Sequence, residues 1–386
     1  MRFALLGADP DSLRLARAAL AEGHELAWLG DASPADAAAL RPAVALRPAE
    51  AWRDLLDDRA ADAVILGRGS VGATDRSERL QELVRLQRPV LAVFPLVPDV
   101  LAYFVADMTR RERHALLWHF NPLRESAWWQ WAQRCVAEGH PRLGPVQQVV
   151  AAREATDRGK DDVEQRFAQD VEPLDRVVGG LDRIGAHGAD NQGGYAALAV
   201  HLVGRSRLPV RWSVGPPIGG PGLEVALVGE RGREAARFDP EGRLVARWLE
   251  TPAGRESWEA QPDEDPAVGA WRNFVAAFHA APGTTGSRDD DWSSALHAME
   301  LTDSIEISLR KSRMIDVHQQ QLTEHMAFKG TMAALGCGVL LAAPPLLLLA
   351  GWAAGLVGLP IAAYWPHALL ALLAMFLAVQ VVPKLL

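Results

Sequence analysis

The segment RPVLAVFPL at residues 88–96 constrains the fold more than any other part of the chain. Before it, apolar strand-like runs alternate with amphipathic helical segments, which is the pattern of a parallel α/β sheet. Residues 90–94 form an apolar run that ends at Pro95, as expected of a strand buried on both faces. Ligands of open α/β sheets lie beyond the carboxyl ends of the strands. Residues 93–96 should therefore face a ligand, although none of them is titratable.

Length, charge and cysteine usage narrow the class of protein. At 386 residues the chain is long enough for two domains with full cores and an additional segment. The net charge of −8 argues against a nucleic-acid partner. Cys135 and Cys337 are far apart, so neither a disulfide framework nor a metal-ligand spacing is present, and no metal is expected. This cysteine usage fits a reducing compartment.

The first strand, at residues 2–7, leads into a loop that departs from the dinucleotide-binding pattern. Of the three glycines in G-x-G-x-x-G, the segment GADPDS at residues 7–12 keeps only Gly7. Asp9 followed by Pro10 predicts the N-cap and first position of a helix. The carboxylates of Asp9 and Asp11 would then lie where a phosphate binds, and a like charge at about 4 Å costs about 1 to 4 kcal/mol. The helix end is therefore expected to hold an anion supplied by the chain itself.

The remaining cofactor candidates follow the first, second and fourth strands. Gly7 and Ala8 belong to the first loop, and Asp31 stands where an acid binds the adenosine ribose. The alternative for Asp31 is a turn or N-cap aspartate ahead of a Ser-Pro pair. Arg68 lies in the loop GRGS at residues 67–70, which could bind a phosphate through its backbone and guanidinium, or could be a plain surface turn.

The chain after residue 120 has a different sequence pattern, in which predicted strands are separated by turns rich in Gly and Pro. It predicts an α+β domain with a mostly antiparallel sheet, one face of which is covered by helices. The predicted strands lie at residues 195–202, 210–214, 223–228, 234–238 and 244–249, and the predicted helices at residues 268–280 and 292–310.

The sequence of the C-terminal segment predicts a pair of transmembrane helices at residues 331–386, after a linker at residues 318–330. Residues 331–357 carry no charge, and residues 359–382 contain only one histidine. About 20 apolar residues suffice to cross the hydrocarbon core. Lysines lie only outside the two spans, so the positive-inside rule predicts an integral inner-membrane protein whose soluble domains face the cytoplasm. A lipid bilayer is thus the expected partner, together with a further membrane protein.

Residues 62–66, the following helix and the strand at residues 90–94 resemble the Gfo/Idh/MocA oxidoreductases. The resemblance implies an α/β Rossmann domain at residues 1–120, an α+β sheet domain at residues 121–317, NAD or NADP as cofactor, and a sugar-like substrate. The segment HFNPLR at residues 119–124, a helix ending near residue 139 and the Leu-Gly pair that follows are similar to the family's crossover between domains. In this family the open face of the sheet commonly mediates dimerisation, which implies a homo-oligomer.

The catalytic positions of the family are altered in this chain. The family usually carries Glu-Lys-Pro at the strand end, and matching by position places Phe94 at the catalytic lysine. A second family motif, His-x-x-Asp on a helix, falls on DVEPLD at residues 170–175, with Glu172 at the histidine and Asp175 at the aspartate. Glu172 would serve as a base if burial raised its pKa. The alternative is a first-turn acid favoured by the helix dipole.

Two functions remain open. The favoured one is a membrane-anchored, catalytically impaired relative that acts as a binding or scaffold module, because the residues that would carry the chemistry and bind NAD or NADP are missing. The alternative is an active NAD(P)-dependent oxidoreductase acting on a sugar-like substrate at the membrane. A basic side chain above Phe94, from Lys160 or Arg124, would compensate for the lost lysine and favour the alternative.

Overall fold

The computed structural model describes residues 1–40, 44–191, 194–259, 265–280 and 286–317. The chain divides into two compact units, Met1–His318 and Gln319–Leu386. The predicted linker and membrane helices, at residues 318–330 and 331–386, lie outside the described residues. Within the part of the chain that is described, no helix combines the length and apolar character needed to span a bilayer.

The first domain is a parallel sheet of six strands in the order β3-β2-β1-β4-β5-β6. The strands are β1 Arg2–Leu6, β2 Glu25–Gly30, β3 Leu46–Arg47, β4 Ala63–Leu66, β5 Val90–Val93 and β6 Leu117–Phe120. The helices are α1 Pro10–Ala21, α2 Pro34–Leu40, α3 Ala73–Arg85 and α4 Val100–Arg113, with a 3₁₀ helix at Ala49–Leu56. In this Rossmann order the direction of winding reverses between β1 and β4. The loops that follow β1 and β4 therefore lie side by side at the carboxyl edge of the sheet.

The second domain is built on a sheet of nine strands in the order β14-β13-β12-β11-β7-β10-β9-β8-β15. Every adjacent pair is antiparallel except β7 and β10, so the predicted mostly antiparallel sheet is confirmed. The strands are β7 Val146–Glu154, β8 Leu181–Asn191, β9 Gly194–Gly204, β10 Pro209–Gly215, β11 Gly222–Gly229, β12 Gly232–Phe238, β13 Leu244–Thr251, β14 Gly254–Glu259 and β15 Ile315–Asp316. The helices are α5 Ala127–Glu138, α6 Lys160–Val178, α7 Pro266–His279 and α8 Gly286–Lys311.

Aromatic side chains join the two domains. Trp292 on α8 stacks on Tyr103 of α4, with 5.2 Å between the ring centroids. Trp271 on α7 meets Phe3 of β1 edge to face at 5.4 Å. These rings are buried in a single apolar core. The helices α7 and α8 of the second domain therefore pack against the Rossmann domain.

Three elements are explained by their local sequence and contacts. β6 begins at Leu117 because α4 continues to Arg113 and ends at His114 in the left-handed conformation, with φ 55°. The helix predicted from residue 170 is wrong in its start, since α6 begins at Lys160 and contains Pro173 in its interior. The tryptophans of α5 belong mainly to the core, because Trp128 and Trp129 are buried against Phe238.

Candidate functional site

The loops after β1 and β4 are in direct contact at the place where a dinucleotide would bind. Gly7 has φ +84°, and a Cβ atom there would lie 2.5 Å from the carbonyl O of Gly67. A Cβ atom on Gly67 would lie 2.0 Å from the carbonyl O of Gly7. Only glycine fits at either position. The backbone of the second loop therefore covers Gly7, where the pyrophosphate of a dinucleotide approaches the chain in Rossmann domains.

Arg68, the centre of the second loop, pairs with the acids of the first. Its Nη2 lies 2.7 Å from Oδ2 of Asp11 and 3.3 Å from Oδ1 of Asp9. Its backbone N donates to Oδ2 of Asp9 at 2.7 Å. Burial alone would lower the pKa of Arg68, but the two carboxylates outweigh burial and raise it, so the guanidinium is charged. The predicted phosphate-binding arginine is thus engaged by carboxylates of the chain itself.

Asp9 also occupies the N-terminus of α1. Its Oδ1 accepts hydrogen bonds from the backbone N of Asp11 at 2.9 Å and of Ser12 at 3.1 Å. The hydroxyl of Ser12 accepts from the backbone N of Asp9 at 2.9 Å, which completes a capping box. These amides are the donors that would bind a phosphate at a helix N-terminus. The expectation that the helix end holds an anion from within the chain agrees with this geometry.

Asp31 takes part in a buried ion pair. Its Oδ2 lies 2.6 Å from Nη1 of Arg79, and its Oδ1 accepts from the backbone N of Ser70 at 3.1 Å. Burial raises the pKa of Asp31, but the hydrogen bonds from Ser70 and Arg79 outweigh it, so the pKa lies below its usual value. The N-cap interpretation is wrong, since Ser33 accepts from the backbone N of Asp36 at the start of α2. Both carboxylate oxygens that would bind a ribose are used inside the protein.

A cleft of about 540 Å³ lies beside this ion pair. Its lining includes Ala8, Asp31, Gly69 and Ser70 from the loops, and residues 46–49 from the segment that follows α2. This is the position of the adenosine half of a dinucleotide relative to β2. Among the predicted cofactor residues, Ala8 and Asp31 therefore line one cleft, whereas Gly7 and Arg68 form the closed contact next to it.

Phe94 fills the position of the family's lysine with an apolar ring. The side chain is fully buried and meets Tyr103 and His119 edge to face, at centroid distances of 6.0 and 5.3 Å. Its carbonyl O accepts a hydrogen bond from Nε2 of Gln169 at 2.9 Å. The peptide bond between Phe94 and Pro95 is cis. Gln169, which the sequence interpretation missed, is thus the side chain of α6 that reaches this strand end.

Glu172 is fully buried and surrounded by donors. Its carboxylate accepts from Nδ2 of Asn121 at 2.7 Å and from Oγ of Ser294 at 3.0 Å. The charged or polarisable groups around it are His119 at 3.0 Å and Arg124 and Arg176, each at 3.6 Å. Burial raises the pKa of Glu172, but His119 and the two guanidinium groups outweigh it and lower the pKa far below its usual range.

Both sequence interpretations of Glu172 are therefore wrong. The proposed base required burial to raise the pKa, and the neighbouring cations reverse that effect. The first-turn alternative fails because α6 begins at Lys160, so Glu172 lies in the helix interior. Two pairs of residues have the three-residue spacing of His-x-x-Asp: Glu172 with Asp175, and Gln169 with Glu172. The pair of Gln169 and Glu172 is the sequence signal that could have identified Gln169.

Asp175 belongs to the C-terminal end of α6. Its Oδ1 accepts from the backbone N of Leu181 and lies 3.6 Å from Nε2 of His297 on α8. Burial raises the pKa of Asp175 in spite of the histidine. Burial lowers the pKa of His297, but Glu300 and Asp175 outweigh it and raise the pKa above its ordinary value. Asp175 therefore joins α6, β8 and α8.

The two basic side chains considered as substitutes for the family lysine are engaged elsewhere. Lys160 forms an ion pair with Glu306 at 3.0 Å on the surface. Arg124 lies 3.3 Å from Glu125 and approaches Nε2 of His119 at 3.0 Å. Arg124 thus contacts the histidine that packs on Phe94, and its charge is balanced by acids. In the described ranges, no group of three His, Cys, Asp or Glu side chains is placed to hold a metal ion.

A second cleft, of about 720 Å³, lies between α1, α6 and the turn after β12. It is lined by polar residues of both domains: Asp11, Arg14, Arg17, Arg68, Asp162, Gln165, Arg166, Gln169, Glu241 and Arg243, with three apolar neighbours. Gln169 and Arg68 are both among its lining residues. The cleft therefore opens next to the closed loop contact.

Comparison with known proteins identifies the fold. No protein-family model and no curated protein matches the sequence. A variant of KijD10, a 3-ketoreductase from Actinomadura kijaniata in complex with TDP-benzene and NADP, is 18% identical, with a TM-score of 0.62 over 80% of this chain and 98% of that chain. The aldose-aldose oxidoreductase from Caulobacter crescentus is 14% identical, with a TM-score of 0.63 over 82% and 99%. The transcriptional regulator Gal80p from Kluyveromyces lactis is 13% identical, with a TM-score of 0.61 over 82% and 94%.

These neighbours define the class of structure. The chain has the fold of Gfo/Idh/MocA-type NAD(P)-dependent oxidoreductases, as the sequence predicted. The neighbours include a ketoreductase, an aldose oxidoreductase and a transcriptional regulator, so proteins of different function share this fold. Function must therefore be argued from the site.

Proposed function

We propose that this chain is a membrane-anchored binding or scaffold module that uses the oxidoreductase fold without its catalysis. The observation that carries the proposal is the contact of Arg68 with Asp9 and Asp11 above Gly7. A dinucleotide pyrophosphate would have to displace Arg68 from both acids and Asp9 from the α1 amides. Each carboxylate left at about 4 Å from a phosphate opposes binding by about 1 to 4 kcal/mol.

The side chains at the end of β5 support the same function. Hydride transfer from an alcohol needs a base at the reacting carbon, and a positioned base contributes about 10²- to 10⁴-fold in rate. Phe94 has no titratable group, and Glu172 is held ionised inside a shell of donors. Gln169, the α6 side chain that reaches Phe94, is an amide and cannot accept a proton near neutral pH.

Attachment to the inner membrane, with the folded domains in the cytoplasm, is part of the proposal. It is supported by the two apolar runs at residues 331–357 and 359–382 and by the position of the lysines outside them. A homo-oligomer formed through the open face of the second sheet and a further membrane protein are the proposed partners. The folded domains would then bind their partners close to the bilayer.

The alternative function is an NAD(P)-dependent oxidoreductase with a sugar-like substrate. It is supported by neighbours described as a 3-ketoreductase with bound NADP and as an aldose-aldose oxidoreductase. The cleft of about 540 Å³ beside Asp31 also suits the adenosine half of a dinucleotide. In this case Arg68 would leave Asp9 and Asp11 when the cofactor enters.

Thermal unfolding of the full-length protein in detergent micelles separates the two functions. A ligand that binds only the folded state stabilises it by about 2.7 kcal/mol at a concentration 100 times its Kd. We expect millimolar NADH or NADPH to leave the melting temperature unchanged. A clear rise with either cofactor would support the oxidoreductase and contradict the closed site.

A further inference from the structure

One edge of the second sheet marks the place where the described chain ends. β15 is the edge strand and pairs with β8, which in turn pairs with β9. The backbone N of Val317 donates to the carbonyl O of Asp182 at 2.6 Å. The described chain therefore ends at this edge, beside the first residues of β8.

Exposed cations surround this point. We call them the basic edge, and they come from β8, from the turn between β9 and β10, and from the end of α8 with the segment after it: Arg183, Arg205, Arg207, Arg310, Lys311 and Arg313. The turn lies beside the start of β8, because Leu181 pairs with Gly204 and the backbone N of Arg205 donates to the carbonyl O of Gly180. Three separate elements thus present cations on one side of the domain.

At the end of α8 the cations of the basic edge follow one another without an acid between them. Residues 307–315 contain no acid. Asp316 pairs with Arg183 at 3.0 Å, and Glu306 pairs with Lys160 at 3.0 Å. Met314, which is 39% exposed, adds an apolar side chain among the cations. Residues 307–315 therefore carry three cations and no acid on a protein whose net charge is −8.

The residues that follow the basic edge in the sequence indicate which partner it binds. Residues 318–330 separate it from the uncharged run at residues 331–357. Thirteen residues span at most about 45 Å when fully extended. Cations attract anionic lipid headgroups only within a Debye length, about 10 Å at 0.1 M salt. A connection of this length lets the basic edge approach the headgroups to within that distance.

We propose that the basic edge docks on the anionic headgroups of the membrane in which the C-terminal segment is anchored. The inference rests on the proposed membrane attachment and adds a docked face to it. The cations are spread over an open edge, which suits a layer of headgroups, and the exposed methionine can enter the boundary between headgroups and acyl chains.

The test uses the full chain in lipid nanodiscs, with a fluorescent label on Ser312→Cys in a Cys337→Ser background. Cys135 is buried and remains in place. The nanodiscs contain phosphatidylcholine alone or phosphatidylcholine with phosphatidylglycerol, and the readout is quenching by acrylamide, which is neutral. We expect about twofold less quenching with phosphatidylglycerol, because anionic lipid attracts the basic edge. High salt should remove the difference, because it screens this attraction.

Charge-reversal variants identify the surface. The triple variant Arg310→Glu, Lys311→Glu, Arg313→Glu should quench equally in both lipids. The control Arg53→Glu, Arg59→Glu, Arg85→Glu changes the net charge by the same amount on the Rossmann domain, and it should keep the difference.

Two results would overturn the docking: equal quenching of the wild-type sequence in both lipids, or loss of the difference in the control. Co-elution of the chain with nanodiscs reports attachment separately. Without co-elution, attachment and docking both fail; with co-elution and equal quenching, docking alone fails.

Discussion

At the scale of single residues, the candidate site consists of charges that find partners inside the protein. Arg68 pairs with Asp9 and Asp11, and Asp31 pairs with Arg79. A buried charge that loses its partner is costly, because the remaining charge is left without compensation. These ion pairs therefore link the loops after β1 and β4 and tie Asp31 to α3.

The variant Arg79→Ala should lower the free energy of unfolding by about 3 to 5 kcal/mol, because it leaves Asp31 buried without its partner. Urea denaturation of the full-length protein in detergent measures the change. The control is Arg53→Ala, which breaks the exposed pair with Glu78 and should cost less than about 1 kcal/mol. Equal losses in the two variants would show that the Asp31 pair contributes little.

The carboxylate of Glu172 predicts a pH dependence of stability. Its pKa in the folded protein lies below the unfolded value of about 4.3, so the unfolded state takes up the proton first. Its contribution is fully present above the unfolded pKa and is lost as pH falls below it. The free energy of unfolding should therefore decrease more steeply between about pH 5 and about pH 3 in the wild type than in Glu172→Gln. Parallel profiles would contradict an ionised Glu172.

At the scale of elements, structure that depends on residues close in sequence is predicted better than contacts between residues far apart in sequence. β4 and β5 are continuous apolar runs, and the cap of α1 is a contact between residues adjacent in sequence, so both follow from the chain alone. The start of α6 was missed because its first turns are polar, although Val163 and Phe167 are buried at helical spacing. The partner of Asp31 lies on another helix, at Arg79, and only the tertiary fold brings them together.

The loop after β4 provides a test at this scale. Gly67→Ala places a Cβ atom 2.0 Å from the carbonyl O of Gly7, so the two loops must separate. We expect a loss of about 1 to 3 kcal/mol in the free energy of unfolding, as for other overpacked sites. Gly215→Ala is the control, since nothing lies within 4 Å of its Cβ position. If both variants were equally stable, the loops would not be in firm contact.

At the scale of the whole molecule, the chain has a fold that it shares with oxidoreductases and with a transcriptional regulator. Its Rossmann-like domain and mostly antiparallel second sheet fit this fold. The chain departs from the motifs of the resembled family at Phe94, at Glu172 and in residues 7–12. A fold can persist while its function changes, because packing and catalysis depend on different residues.

The proposed membrane attachment gives a prediction for the whole chain. After cell lysis and an alkaline carbonate wash, the full-length protein should remain with the membranes, because residues 331–386 are long and apolar enough to span a bilayer twice. A chain ending at His318 should appear in the supernatant. Recovery of the full-length protein in the supernatant would contradict the attachment.

The most direct measurement of the central claim is calorimetric titration of NADPH into the full-length protein. The contact between Arg68 and the acids of the first loop predicts no binding heat up to millimolar cofactor. The Arg53→Ala variant should behave in the same way. Micromolar binding by the wild type would contradict the closed site, and it would direct the search to a sugar-like substrate.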